Sequence, residues 1–277
     1  MDDNLQEGAV RDQLTTIWLG RPYHYVESID STNDRLKVWA SDPAYPSGAV
    51  LLTDFQSAGR GRLDRRWEAP PGSSLLFSVL LRPGWPVRRG TWLTMLAGLA
   101  VAEAVEAVAG LPARLKWPND VVLPDGVAGD KGSAWRKVGG LLLDTTLDPT
   151  GERLESAVLG IGLNVNIEAN ALPVAATPAV SLLVASGRPV PRRPLLVALL
   201  ERLERHYDAA QDGRSPAEAW ARWLVTLGQR VEVSAGGSSA PLAGMAEATD
   251  EWGQLLVRDD AGRLHVIAAG DVSLRGR

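Results

Sequence analysis

The chain has 277 residues, room for one large domain or for one domain and a small module. Apolar residues make up 45% and the formal net charge is −4, which favours a folded core over disorder and argues against general nucleic-acid binding. There is no cysteine, so disulfides, thiolate metal sites and cysteine nucleophiles are excluded, and the three histidines, His24, His206 and His265, lie too far apart to suggest a metal site. The start, MDDNLQEGAV, is acidic and polar, unlike a signal peptide, and no uninterrupted apolar run approaches ~18 residues. The expectation is a soluble cytoplasmic protein without a membrane span.

In chain order, YHYVESID (Tyr23–Asp30) reads as a strand, and STNDRLKVWASD as a helix with Ser31 or Asp30 at its N-cap. GAVLLTDF and SLLFSVLLRP are β-rich apolar runs, hence buried strands. Between them lies QSAGRGRLDRRW, which is too charged for a core strand and too glycine-rich for a helix. TWLTMLAGLAVAEAVEAVA (Thr91–Ala109) reads as a long helix mostly covered by protein. ARLKWPNDVVLPDG is a strand broken at Pro118, and RKVGGLLLDTTL with LESAVLGIGLNVN forms a hairpin around DPTGE. The proline-dotted stretch 167–191 is less regular, and RPLLVALLERLERHYDAAQ and PAEAWARWLVTL are amphipathic helices. Beyond Leu227, short alternating runs broken by Gly, Asp and Ser predict a small barrel or meander. The order of elements predicts an α+β fold with a boundary near Thr226, giving a catalytic domain over 1–226 and a β module over 227–277.

Five short segments could carry chemistry. In the arginine loop, Gly59 and Gly61 let backbone approach a ligand, and Arg60 and Arg62 offer forked donors for phosphate or carboxylate; the bland reading is a solvated loop. Lys116 in KWPND and Lys137 in RKVGGLLLD stand at the ends of apolar strands, where an ammonium is either solvated or aimed at an anion. DSTN can be a simple helix cap, although a helix N-terminus also attracts anions. The two glycines of GIGLNVN mark close backbone or ligand approach. All five lie at the end or break of a predicted central strand, where pockets form. Lysines and arginines without a histidine, a cysteine or a carboxylate pair point to electrostatic activation of phosphate or carboxylate substrates, and a P-loop is absent.

Taken in this order and at these separations, DSTN, QSAGRGR, KWPND, RKVGGLLLD and GIGLNVN resemble the biotin protein ligases, from about Tyr23 to the C-terminus. The resemblance implies a mixed central sheet flanked by helices, like that of class II aminoacyl-tRNA synthetases, followed by a small SH3-like β-barrel. It also implies a two-step reaction. Biotin and ATP, with Mg²⁺, give biotinyl-5′-AMP and pyrophosphate; a lysine of a biotin carboxyl carrier protein then takes the biotinyl group and AMP leaves. Biotin contacts carry over to Ser31, Thr32, Asn33, Gln56 and the backbone of Arg60, Gly61 and Arg62. Lys137 matches the lysine on the biotin carboxylate and adenylate bridge, and Arg62 the arginine of the adenylate-holding loop. Trp67 matches the tryptophan that covers adenine; Lys116 would meet phosphate, Asn119 and Asn164 the nucleotide, and Asp120 the acceptor lysine.

Two departures stand out: Asp64 occupies a position where glycine is common, and PDGVAGDKGSAW lengthens the link before Lys137. About twenty residues precede Tyr23, too few for the helix-turn-helix domain of some relatives, so no DNA-binding role is expected. Monomer and homodimer both stay open. The competing readings are a lipoate or octanoate ligase on the same fold, a non-catalytic biotin-binding regulator, and an RNA-binding module, the last lacking a basic–aromatic surface in the tail.

Overall fold

The computed structural model describes residues 3–63, 65–125, 135–174, 177–234 and 241–274. Asp64 and most of the link before Lys137 lie outside the described residues.

The helices are α1 (Glu7–Arg11), α2 (Thr32–Ala40), α3 (Gly90–Ala109), α4 (Leu182–Ser186), α5 (Arg192–Gln211) and α6 (Ala217–Ala221). Seven strands form one mixed sheet: β1 (Tyr23–Ile29), β2 (Val50–Gln56), β3 (Ser74–Leu81), β4 (Arg114–Lys116), β5 (Asp120–Pro124), β6 (Trp135–Leu147) and β7 (Leu154–Asn164). Their order is β1-β2-β3-β7-β6-β5-β4, with β1 and β2 parallel and every other pair antiparallel.

Alternate residues of each strand face opposite sides of the sheet. Val50, Leu52, Phe77, Val79, Leu81, Leu159 and Ile161 join the main core with α3 and α5. Leu51, Leu80 and Val158 join a second, smaller cluster with Leu36 of α2. That second face continues along β7 and β6 through Gly160, Gly162 and Asn164 and through Asp144, Leu142 and Gly140, in register with Ser78 and Leu76 of β3. In the middle of the sheet this face carries no side chain at one cross-strand pair, where Gly140 stands directly opposite Gly162.

The run Val87–Ala109 is long and apolar enough to cross a membrane, with mean hydropathy 1.5, contrary to the expectation from uninterrupted runs. Its threonines and two glutamates break the apolar run without lowering its average much. However, 72% of that window is buried inside the protein, as befits a core helix between the sheet and α5.

The second predicted C-terminal helix is shorter than expected. α6 stops at Ala221, and the following residues pair with β4 instead: Leu115 N–H donates to Trp223 C=O at 2.9 Å, and Val225 N–H to Leu115 C=O at 2.8 Å. The edge strand's open hydrogen-bonding groups outcompete the helical ones here. The segment before β1, unassigned by its sequence, docks on the core through Leu5, Val10, Leu14 and Leu19.

Strands β8 (Arg230–Ser234), β9 (Leu242–Thr249), β10 (Leu255–Arg258), β11 (Leu264–Ile267) and β12 (Asp271–Leu274) form a second, antiparallel sheet in the order β11-β10-β9-β8-β12. The meander is present, but among the described residues β11 and β12 remain its two edges, so the sheet is not a closed barrel. It docks on the first unit through tryptophans. Trp92 Nε1 donates to Glu251 C=O at 3.0 Å, Trp117 Nε1 donates to Gly253 C=O at 2.8 Å, and Trp92 stacks on Trp252 at 6.0 Å.

Candidate active site

A cleft of about 1710 Å³ opens over the Gly140, Gly160 and Gly162 stretch of the sheet. It brings together the site residues that the resemblance implied, Ser31, Thr32, Asn33, Gln56, Arg60, Gly61, Arg62, Trp67, Lys116, Asn119, Asp120, Lys137 and Asn164, whereas Gly59 does not line it. Strand ends and strand breaks converge here, as the five segments suggested.

One end of the cleft is neutral and polar. Ser31, not Asp30, caps α2, its Oγ accepting from Asp34 N–H at 3.3 Å. The cap turns Thr32 and Asn33 inward, where both are buried. Gln56 Oε1, at the end of β2, accepts from Thr32 N–H at 2.8 Å and lies 3.1 Å from Thr32 Oγ1. Asn33 enters only because residue 160 is glycine: a Cβ there would stand 2.1 Å from Asn33 Oδ1.

The other end is cationic. Lys116 on β4 faces Asp120 across the break at Trp117 and Pro118, and Lys137 Nζ reaches Asp120 at 2.5 Å. Lys116 is 8% exposed, with its Nζ donating to Thr177 Oγ1 at 3.0 Å. Burial pulls the Lys116 ammonium below the ordinary lysine pKa; the Asp120 charge opposes that and the Lys137 charge adds to it. Lys116, Lys137 and Arg65 thus face Asp120 and Asp271, three cations to two carboxylates, which leaves this end poised to receive further negative charge. The backbone of Lys137 is held by the proline-dotted segment, through Lys137 N–H to Pro178 C=O at 2.8 Å and Val180 N–H to Lys137 C=O at 2.9 Å.

The arginine loop spans the cleft as a small hairpin. Trp67 N–H donates to Gly59 C=O at 3.0 Å, Gly61 N–H donates to Arg65 C=O at 2.7 Å, and Leu63 takes a positive φ of 54° in the turn. Gly59 is required by contact, because a Cβ there would sit 2.4 Å from the Trp67 carbonyl oxygen. The hairpin delivers the Trp67 indole onto the paired glycines, where Cβ atoms at Gly162 and Gly140 would approach its ring to 2.7 and 3.0 Å. Lys137 Nζ lies 5.7 Å from the centre of that ring, within cation–π range.

Arg62 donates to Asn119 Oδ1 at 3.0 Å and to Gly270 C=O at 3.3 Å, and Arg65 pairs with Asp271. The loop is thus tied both to the KWPND break and to the second sheet. The Asn119 amide is spent on structure, its Nδ2 donating to Leu141 C=O at 2.6 Å. Nδ2 of Asn164 donates to Val180 C=O at 3.1 Å, while its buried Oδ1 has no partner among the described residues.

Sequence reasoning missed Asp34, Ser78, Asp144, Thr177 and Asp271. Asp144 carried a signal, because period-2 counting from Gly140 puts it on the cleft face of an otherwise apolar strand. Asp271 carried none, since its contact joins residues 206 positions apart.

Comparison with known proteins agrees with this geometry. The model of the biotin/lipoate A/B protein ligase family matches residues 25–164, and that of the biotin protein ligase C-terminal domain matches 226–275. The biotin–[acetyl-CoA-carboxylase] ligase of Mycobacterium tuberculosis is 34% identical over 97% of this chain and 95% of that protein. The bifunctional ligase/repressor BirA of Bacillus subtilis is 30% identical over 98% of this chain and 79% of that protein. Among solved structures, biotin protein ligase from Aquifex aeolicus in complex with biotin and ATP superposes with a TM-score of 0.70 at 28% identity, covering 91% of this chain and 98% of that one. On the strength of these matches, this chain belongs to the biotin/lipoate A/B protein ligase family.

Proposed function

We propose that this protein is an ATP-dependent biotin protein ligase. One observation carries the reading: a glycine-floored cleft with a neutral hydrogen-bonding end at Ser31, Thr32, Asn33 and Gln56, a dication at Lys116 and Lys137, and an arginine hairpin across it. The neutral end suits the uncharged, hydrogen-bonding head of biotin, and the cationic end suits its carboxylate and the phosphates of ATP.

In the first step a carboxylate oxygen attacks the α-phosphorus, the bond to the bridging oxygen breaks, and pyrophosphate leaves. Two unit negative charges 4 Å apart repel by about 4 kcal/mol at an effective dielectric near 20. Lys137 and Lys116 offset that repulsion as fixed charges that need no reorganisation, and holding both reactants together removes much of the entropic barrier. In the second step the acceptor lysine's amine attacks the mixed anhydride's carbonyl, AMP leaves, and the amine loses a proton. Asp120 is the carboxylate suited to orient or accept from that amine once its pair with Lys137 loosens. Trp67 covers the adenine, and Asn164 and Asn119 border the nucleotide. Mg²⁺ enters as MgATP, held mainly by phosphate oxygens.

The division at 226/227 fits this role, with the second sheet acting as the SH3-like module that steadies the arginine hairpin. The acceptor is the biotin carboxyl carrier protein of a carboxylase, in keeping with the name of the Mycobacterium relative. A net charge of −4 fits a cytoplasmic ligase without a DNA-binding role.

The test supplies the purified protein with biotin, MgATP and a carrier domain. Biotin-dependent pyrophosphate release followed by labelling of one carrier lysine is expected. Tight biotin binding without pyrophosphate release, or preference for lipoate or octanoate, would overturn the reading. For Arg62→Gly, which cuts the hairpin from Asn119 and Gly270, release of the adenylate is expected to rise about 10–100-fold, a change of two broken polar contacts. Free adenylate in solution and labelling of bystander lysines report it; retention equal to wild type refutes that role.

A further inference from the structure

A hydrogen-bonded row runs through the neutral end of the cleft beneath the proposed ligand. Asp144 of β6, with its side chain 22% exposed, accepts from Asn33 Nδ2 at 3.1 Å and from Arg60 Nη1 at 3.1 Å. Asn33 Oδ1 in turn accepts from Ser78 Oγ at 2.5 Å, and Ser78 Oγ lies 2.7 Å from Thr32 Oγ1, which lies 3.1 Å from Gln56 Oε1. Ser78 and Thr32 are buried, so the row is closed to water along most of its length.

The chemistry of the two ends sets the direction of every proton between them. A carboxylate only accepts, so the Asn33 amide must turn its NH₂ to Asp144 and its oxygen to Ser78. Ser78 must then donate to Asn33, and its lone pair is left for the Thr32 hydroxyl. Thr32 Oγ1 is then the donor to both Ser78 Oγ and Gln56 Oε1, sharing its one proton between them and keeping its lone pairs for the ligand, while Gln56, whose Oε1 also holds Thr32 N–H, turns its NH₂ outward. We propose that Asp144 is a positioning residue that fixes this polarity, so that the neutral end presents one defined set of donors and acceptors to the biotin head group. This inference rests on the biotin reading of the cleft.

Arg60 has a second carboxylate, Asp34 at 2.6 Å, and so does not depend on Asp144 alone. That separation makes the proposal testable. Asp144→Asn keeps the size of the side chain but can donate as well as accept, so the row no longer has a single direction. The expected result is a KM for biotin raised about tenfold, with the KM for ATP and kcat each within about threefold of wild type and melting temperature little changed. Ser78→Ala, which cuts the row without touching Arg60, is expected to raise the biotin KM selectively as well. An unchanged biotin KM in folded Asp144→Asn, equal rises in both KM values, or a silent Ser78→Ala beside an affected Asp144→Asn would each overturn the proposal. Wild-type protein without biotin-dependent turnover would instead sink the ligase reading itself.

Discussion

Replacing Lys137 by alanine is expected to cut adenylate formation by two to three orders of magnitude, roughly what loss of one preorganised charge-stabilising group costs an active site. The measurement is biotin-dependent pyrophosphate release at saturating biotin and ATP. Lys137 is the cation closest to both Asp120, at 2.5 Å, and the Trp67 ring, at 5.7 Å, so it lies between the proposed adenine cover and the proposed carboxylate end. Its side chain is 27% exposed and fills no core space, so circular dichroism should match wild type. Lys116 remains in the variant, but its lowered proton affinity and its bond to Thr177 tie it to another position. Near-normal pyrophosphate release in a folded Lys137→Ala protein would remove the main catalytic assignment.

The largest effect on stability is expected far from the cleft. Glu204 of α5 is 7% exposed and accepts three successive backbone N–H groups, from Ile17 at 2.8 Å, Trp18 at 2.9 Å and Leu19 at 2.8 Å. It thus forms the anchor that holds the N-terminal segment, with its buried Leu14 and Leu19, against the core. Glu204→Ala takes the acceptor from three donors, of which the Leu19 N–H is buried and those of Ile17 and Trp18 partly buried, and at about 1–3 kcal/mol per unsatisfied buried group the loss is about 3 kcal/mol. For a chain of this size that corresponds to a melting temperature lower by roughly 6–12 °C. Glu204→Gln, which keeps acceptor capacity at one oxygen, should fall between the two. A loss below about 1 kcal/mol in thermal or denaturant unfolding would show that water or another group replaces the carboxylate.

Much of the fold was legible because burial imposes periodicity. GAVLLTDF and SLLFSVLL read as buried strands, and β3 is buried along its whole length. The long helix, the β6–β7 hairpin and the short strands of the C-terminal sheet were legible for the same reason. The end of α6 was not, since the chain leaves the helix to satisfy the edge of β4, a contact between residues about 110 positions apart. Closure of the terminal sheet was beyond local pattern too, because strand alternation is the same in a meander and in a barrel.

The candidate site divides along the same line. The residue types were chosen by chemistry that local sequence displays: lysines at strand ends, arginines between glycines, a serine before a helix. Why three further glycines lie at 140, 160 and 162 was decided in three dimensions, where two meet the Trp67 indole and one admits Asn33. The partners of the charges were likewise decided there. Asp144 with Asn33 and Arg60, Lys116 with Thr177, and Arg65 with Asp271 are contacts between distant segments. By itself the sequence determined the elements, the segments that carry chemistry and the sign of the charge they present, since these depend on composition and short-range period. Only the tertiary structure decided which of those charges is already paired, because pairing depends on sheet register and on how a hairpin folds back over it.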